Sequence, residues 1–198
     1  MQKTIITIGR EYGSGGYEMA KRLSEALGWK YYDRELIAEI AEKSMISESF
    51  VESKDEVGGK RNIFQEVFPI FANHSDDQEK YIFNRQGEFI RELAEKQNCI
   101  IIGRRADYYL KDNPAACHLF LYADMDFRIE RICKKLNCDE KTAREKIQDM
   151  DKKRKTSYEY TTGRSWGDMH NYDRLICTSA FGLDAAVEEV VTLIKNQK

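Results

Sequence analysis

Residues 4–8, TIITI, run directly into GREYGSGG and then into YEMAKRLSEALG. TIITI is β-branched throughout and bounded by Gly9, the pattern of a strand buried on both faces. In the third segment Met19, Ala20, Leu23, Ala26 and Leu27 share a helical face, and Gly28 is a natural stop. The loop between them is too rich in glycine to be helix or strand. A glycine loop that joins a strand to a helix start suits anions. Its backbone N–H groups can turn inward onto phosphate oxygens, and the helix start adds unpaired donors and partial positive charge. A plain strand-to-helix turn needs one glycine. Gly13, Gly15 and Gly16 together favour a phosphate cradle, with Ser14 and Tyr17 in the same run.

The rest of the chain repeats the alternation. WKYY is a short second strand, and Asp33 is placed to cap the helix RELIAEIAEKS. Residues 46–78 are irregular: a helical stretch after Ser47, a VGGKRN turn, and a segment interrupted by Pro69. This segment could cap the acceptor side of a site or form a partner surface. QEKYIFNRQGEFIRELAEKQN is a long amphipathic helix, and CIIIG, HLFLYA and RLICTS are three further strands. Asp124 and Asp139 stand where they could cap the two helices DFRIERICKKLN and EKTAREKIQDMDKKRKTSYEY, and LDAAVEEVVTLIKN is a closing helix. Strands separated by helices imply an α/β, three-layer fold with a doubly wound sheet, and the glycine loop after the first strand is that of a P-loop protein. The fold has a central parallel sheet of about five strands in one domain over 1–198, with a helical lid over 139–170.

In such sheets ligands bind beyond the carboxyl ends of the strands. Arg104 follows the third strand in IIIGRR, where a guanidinium can pair bidentately with phosphate; Arg105 is the weaker candidate. Asp33 ends the second strand, equally suited to capping a helix, to hydrogen-bonding an acceptor or to holding a magnesium-bound water. In DMDKKRKTSYEY, Asp151, Arg154 and Tyr158 are spaced for one helix face, with Lys152, Lys153 and Lys155 around them. A mobile basic helix could close on a polyphosphate and exclude water, although a run of charge is usually a solvated face. Tyr158 and Trp166 could stack on a base; core or lid packing is the commoner use of such a Trp.

Composition sets limits. Charged residues make up 33% of the chain, yet the net charge is −2, so no whole-molecule basic field points to nucleic acid. The five cysteines, odd in number and without C-x-x-C, read as free thiols. The three histidines are scattered and read as structural or solvated. The N-terminal stretch has no long apolar region and no run spans a bilayer, so neither a signal peptide nor a membrane segment is expected and the cytoplasm is the default location. Oligomeric state is left open.

Taken in order, TIITIGREYGSGGYEMAKRLSEALGWKYYDRELI, IIIGRRADYYL, LFLYADMDFRIERI and DMDKKRKTSYEYTTGRSWGDMHNYDRLICTS resemble the cytidylate kinase-like family over nearly the whole chain. The resemblance implies a P-loop kinase that uses ATP and magnesium, with small-molecule nucleotides as partners and a nucleoside monophosphate such as CMP or dCMP as acceptor. It implies that Gly13 to Gly16 form the phosphate cradle and that Arg104 faces the acceptor nucleotide. Asp151 and Arg154 match the D-x-x-R of the lid, whose arginine approaches the transferring phosphates, and Asp33 lies near the acceptor phosphate. The chain departs from the pattern where a P-loop ends in G-K-[ST]: Gly16 stands at the lysine and Tyr17 at the hydroxyl. Arg10, at the place of the first P-loop glycine, could supply the lost charge from the other side of the loop. Ala38 and Glu39 lie near the place of the family's Tyr-Arg pair. Three readings follow: an active nucleotide kinase, a kinase for another small acceptor, and a non-catalytic nucleotide sensor or interaction module.

Overall fold

A computed structural model of the chain describes residues 2–33 and 76–196. The alternation read from the sequence becomes β1 (Ile5–Arg10), α1 (Gly16–Leu27), β2 (Lys30–Tyr32), α2 (Asp76–Lys96), β3 (Cys99–Ile102) and α3 (Ala106–Tyr109). After these come β4 (Ala116–Tyr122), α4 (Met125–Leu136), α5 (Glu140–Thr162), a 3-10 turn (Met169–Asn171), β5 (Arg174–Cys177) and α6 (Thr178–Lys195). The five strands form one sheet in the order β2-β3-β1-β4-β5, and every pairing is parallel. β1 lies at the centre, with Ile5 opposite Cys99 on one side and Ala116 on the other.

The two-residue period of a strand sends alternate side chains to opposite faces. Ile6 and Ile8 join Ile100, Ile102, Leu119 and Leu121 beneath α1 and α6, where Met19, Leu23, Leu183 and Val190 complete one core. Ile5, Cys99 and Ile101 face the other way and pack under α2 and α3 with Ile90, Leu93 and Tyr109. Each such side chain, fully buried, contributes about 1.5–3 kcal/mol relative to leaving it in water. Both faces of the sheet are covered, giving the three layers expected. A third, smaller cluster of Ile129, Ile132, Ala143 and Ile147 joins α4 to α5.

Thr7 points into the second core, where it needs a partner, and its hydroxyl lies 2.8 Å from Nδ1 of His118. Beside them Tyr158 of α5 donates to Asp107 of α3 at 2.6 Å. Asp107 is buried, and burial raises its pKa above the usual carboxylate range. This contact anchors the C-terminal half of α5 to the body of the molecule.

Several local expectations hold. Gly28 ends α1 at φ 70°, and Asp139 caps α5 by accepting from the Thr142 N–H at 2.7 Å. Asp124 stands at the N-cap of α4, but its side chain does not cap: the carboxylate accepts from the Ser179 hydroxyl at 3.0 Å instead. The fifth strand is shorter than RLICTS, because Thr178 already opens α6, and the closing helix carries a non-helical Gly182 (φ 77°) near its start. The helix expected after Asp33 and the irregular 46–75 stretch lie outside the described residues.

Candidate phosphate site

β1 delivers the loop to the carboxyl edge of the sheet. The Glu11 N–H still donates to Leu121 O at 2.9 Å, extending the strand pairing by one residue. Gly13 and Gly15 then take φ values of 88° and 93°, which glycine adopts without strain. Both also make close approaches. A Cβ on Gly13 would sit 3.1 Å from the Arg128 Cβ, and one on Gly15 would sit 2.9 Å from a Leu183 methyl. The bare loop is thereby pressed between α4 and α6. Ser14 lies fully buried within the loop. Its hydroxyl donates to Glu11 O (2.9 Å) or Leu121 O (3.2 Å), and its own carbonyl accepts from the Thr178 hydroxyl at 2.8 Å. α1 starts at Gly16, so its first-turn N–H groups, which have no partner within a helix, open at the loop.

A cavity of about 630 Å³ lies over this loop. Arg10, Gly13, Gly15, Gly16, Tyr17, Asp33 and Arg154 all line it, bringing together residues from β1, the loop, α1, the end of β2 and α5. Tyr17 is 54% exposed, and its hydroxyl lies 3.1 Å from that of Tyr31. The α4 helix adds Arg131, Lys134 and Lys135, which sequence reasoning missed. Their spacing puts all three on one side of the last turns of α4, a signal the sequence did carry. Cationic side chains from three elements, β1, α4 and α5, thus line one concave space.

α5 reaches the loop directly. Arg154 Nη1 donates to the Arg10 carbonyl at 2.9 Å, and its guanidinium lies over the Tyr12 ring, 5.4 Å from the centroid. One turn earlier the Asp151 carboxylate accepts from the Tyr12 N–H at 2.7 Å and from Arg128 Nη1 at 2.5 Å. Arg128 is buried and also lies 3.6 Å from Glu11. Burial raises the Glu11 pKa, opposed by the Ala123 N–H and by Arg128. Glu11, Arg128 and Asp151 therefore form an ionic clasp that fixes the loop to α4 and α5. Sequence reasoning missed Glu11 and Arg128 because nothing local marks a helix arginine as buried. On α1, Glu18 is held below its usual range, chiefly by the hydrogen bond from Arg131 and then by Arg22.

Not every expected site residue lines this cavity. Asp151 supports the loop from behind, as does Ser14. Arg104, at φ 57°, follows Gly103 and is not among the lining residues. Arg105 donates to Ser157 and Gln86, each at 3.1 Å, and ties α3 to α5 and α2. Tyr158 is spent on Asp107, and Trp166 packs edge-on against Phe120 at 5.4 Å between ring centroids. Those two aromatics are packing residues here.

Among the described residues no cluster of three or more His, Cys, Asp or Glu could hold a metal ion unaided. Glu11, Glu18 and Asp33 are the carboxylates among the residues lining the cavity.

The model of the cytidylate kinase-like family matches residues 5–180. The chain belongs to that family. A cytidylate kinase of Methanopyrus kandleri is 30% identical over 189 residues, covering 91% of this chain and 87% of that protein. The crystal structure of an uncharacterized protein from Eubacterium ventriosum superposes with a TM-score of 0.76 at 31% identity, covering 98% of this chain and all of that one. Shikimate kinase from Acinetobacter baumannii, solved with shikimate, shares the fold at a TM-score of 0.51 and 14% identity, covering 99% and 96% of the two chains. The cytidylate kinase-like chain described here thus has the P-loop kinase fold expected from its sequence. No helix among the described residues is long and apolar enough to cross a membrane.

Proposed function

We propose that this chain is an ATP-dependent phosphotransferase that moves the γ-phosphate of ATP to a nucleoside monophosphate, with CMP and dCMP the first acceptors to consider. The observation that carries the reading is one cavity lined by the glycine loop, Asp33, Arg10 and Arg154. Phosphoryl transfer asks little covalent chemistry of a protein; it needs in-line positioning and positive charge on the oxygens that gain charge. In this reading Gly13 to Tyr17 hold the donor phosphates through the backbone and the start of α1. Arg154 brings charge to the group in transfer. Asp33 orients the acceptor or a magnesium-bound water, and Mg²⁺ neutralises the phosphate oxygens. Arg104 serves the acceptor nucleotide. Asp151 acts on the substrates through the loop and Arg154.

Residues 1–198 then form one kinase domain in which 139–170 are the lid and 46–78 cap the acceptor side. Its partners are small nucleotides, with neither nucleic acid nor a membrane involved, and its place is the cytoplasm, where those nucleotides are.

A second reading is favoured by Gly16 and Tyr17 at the lysine and hydroxyl positions: a nucleotide-binding sensor that does not transfer phosphate. A kinase for another small phosphate or hydroxyl compound is the third. Incubation with ATP, magnesium and a panel of nucleoside monophosphates, with products resolved by chromatography, separates them. CDP or dCDP formation supports the nucleotide kinase. Binding of ATP without product from any monophosphate rejects it.

A further inference from the structure

Position 16, where phosphate loops of this type place a lysine, is glycine, and the space a side chain would take there is filled. A Cβ built on Gly16 would stand 2.8 Å from the Cγ of Arg10 and 3.2 Å from its Cβ. The far end of the same side chain lies against Gly103. A Cβ there would overlap Arg10 Nη1 and stand 2.9 Å from Cζ. Arg10 therefore leaves the end of β1, crosses the first residue of α1 and ends at the close of β3, along the wall of the cavity. It runs between two glycines, neither of which can take a side chain while Arg10 holds this path. Its own carbonyl is held by Arg154, so the two arginines are fixed to each other at the same edge of the sheet.

We infer that Arg10 is the resident cation of the phosphate loop, and that its path is the reason position 16 carries no side chain. A lysine rising from the helix and an arginine crossing from the strand are alternative ways to put a charge on the same phosphates, and the space admits one of them. The guanidinium keeps its proton at any working pH and can meet two phosphate oxygens at once, which a lysine cannot. In the transfer step an oxygen of the acceptor phosphate bonds to the γ-phosphorus while the bond to the β,γ-bridging oxygen breaks. The electron pair leaves with ADP. With a dianionic acceptor no proton has to move, and Arg10 only donates hydrogen bonds to the oxygens that gain charge.

The turnover part of this inference rests on the phosphotransferase reading; the binding part does not. The test compares Arg10→Ala, Arg10→Gln, Gly16→Lys and the double variant Arg10→Ala/Gly16→Lys. Calorimetry measures ATP and AMP binding, the monophosphate assay measures turnover, and thermal unfolding verifies each fold. Arg10→Ala should weaken ATP at least tenfold and AMP by less than about threefold, and lower kcat by about a hundredfold. Gly16→Lys alone should lose ATP affinity because it collides with the Arg10 stem. The double variant should regain about tenfold over Arg10→Ala. If Arg10→Ala does not fold, Arg10→Gln, which keeps the stem without the charge, is read in its place. ATP binding within threefold of wild type in the charge-removed variant would overturn the inference, as would a Gly16→Lys protein that binds ATP as wild type does. A wild-type protein that turns over no monophosphate defeats the kinase reading alone, and the ATP-to-AMP comparison still decides Arg10.

Discussion

Arg154 touches the loop twice, through the Arg10 carbonyl and across the Tyr12 ring, while lining the cavity. In the proposed transfer this charge would complement the transferring phosphate more than the bound one. Arg154→Ala should therefore lower kcat by about a hundredfold while ATP affinity falls by less than about fivefold, read from steady-state kinetics beside calorimetry. His118 makes the opposite kind of statement. It is buried against Thr7, and burial holds its pKa below the usual histidine value, with Asp107 and Asp173 opposing. The unfolded chain takes up this proton near pH 6.5, and the folded chain only lower down. Stability should fall as pH drops from about 7 toward the folded pKa, and His118→Asn should flatten that slope in thermal unfolding curves. Asp107, raised by burial, works in the opposite sense from its unfolded value upward, so its contribution is lost as pH rises through its folded pKa. An unchanged slope in the variant would mean that another group carries the dependence. None of this pairing was legible in the sequence, which reads His118 as structural or solvated without naming Thr7.

At the scale of elements, α5 is the part that joins chemistry to architecture. Asp139 starts it, Asp151 and Arg154 grip the loop from its middle, and Tyr158 pins its far half to α3. The sequence placed Asp151, Arg154 and Tyr158 on one face, and that spacing was right; what differs is what each meets along the way. Asp151 faces the back of the loop and Arg128, and Tyr158 meets buried Asp107, because a helix of this length passes from the cavity edge onto the core. Asp151→Ala would leave Arg128 buried with Glu11 at 3.6 Å as its remaining carboxylate. Loss of one partner of a buried pair costs about 3–5 kcal/mol, so Tm should fall by roughly 10 °C. Asp151→Asn should fall nearly as far, since an amide cannot replace both accepted bonds. A Tm within about 2 °C of wild type for either variant would show that the clasp is not structural.

For the whole molecule, the layered parallel sheet was legible because its signals are local and repeated: β-branched runs in TIITI and CIII, helical stripes between them, and stop residues such as Gly28. The glycine loop was legible for the same reason. The α4 contribution was harder, since Arg131, Lys134 and Lys135 become cavity residues only when α4 packs beside the loop through Ile129 and Ile132. Arg104 stands just past the end of β3 with a left-handed backbone and is not among the residues that line the cavity. The path of Arg10 over two glycines is tertiary throughout and could be seen only once β1, α1 and β3 were side by side.

The central claim is that phosphate passes from ATP to a nucleoside monophosphate in the cavity over the glycine loop. Phosphorus NMR of one reaction tube containing the protein, ATP, magnesium and CMP, run beside the Arg154→Ala protein, tests it most directly. The expected result is growth of ADP and CDP resonances in equal amounts with wild type, and loss of nearly all of that growth in the variant. A spectrum in which ATP persists, or yields only inorganic phosphate, with CMP and every other monophosphate tried would contradict it.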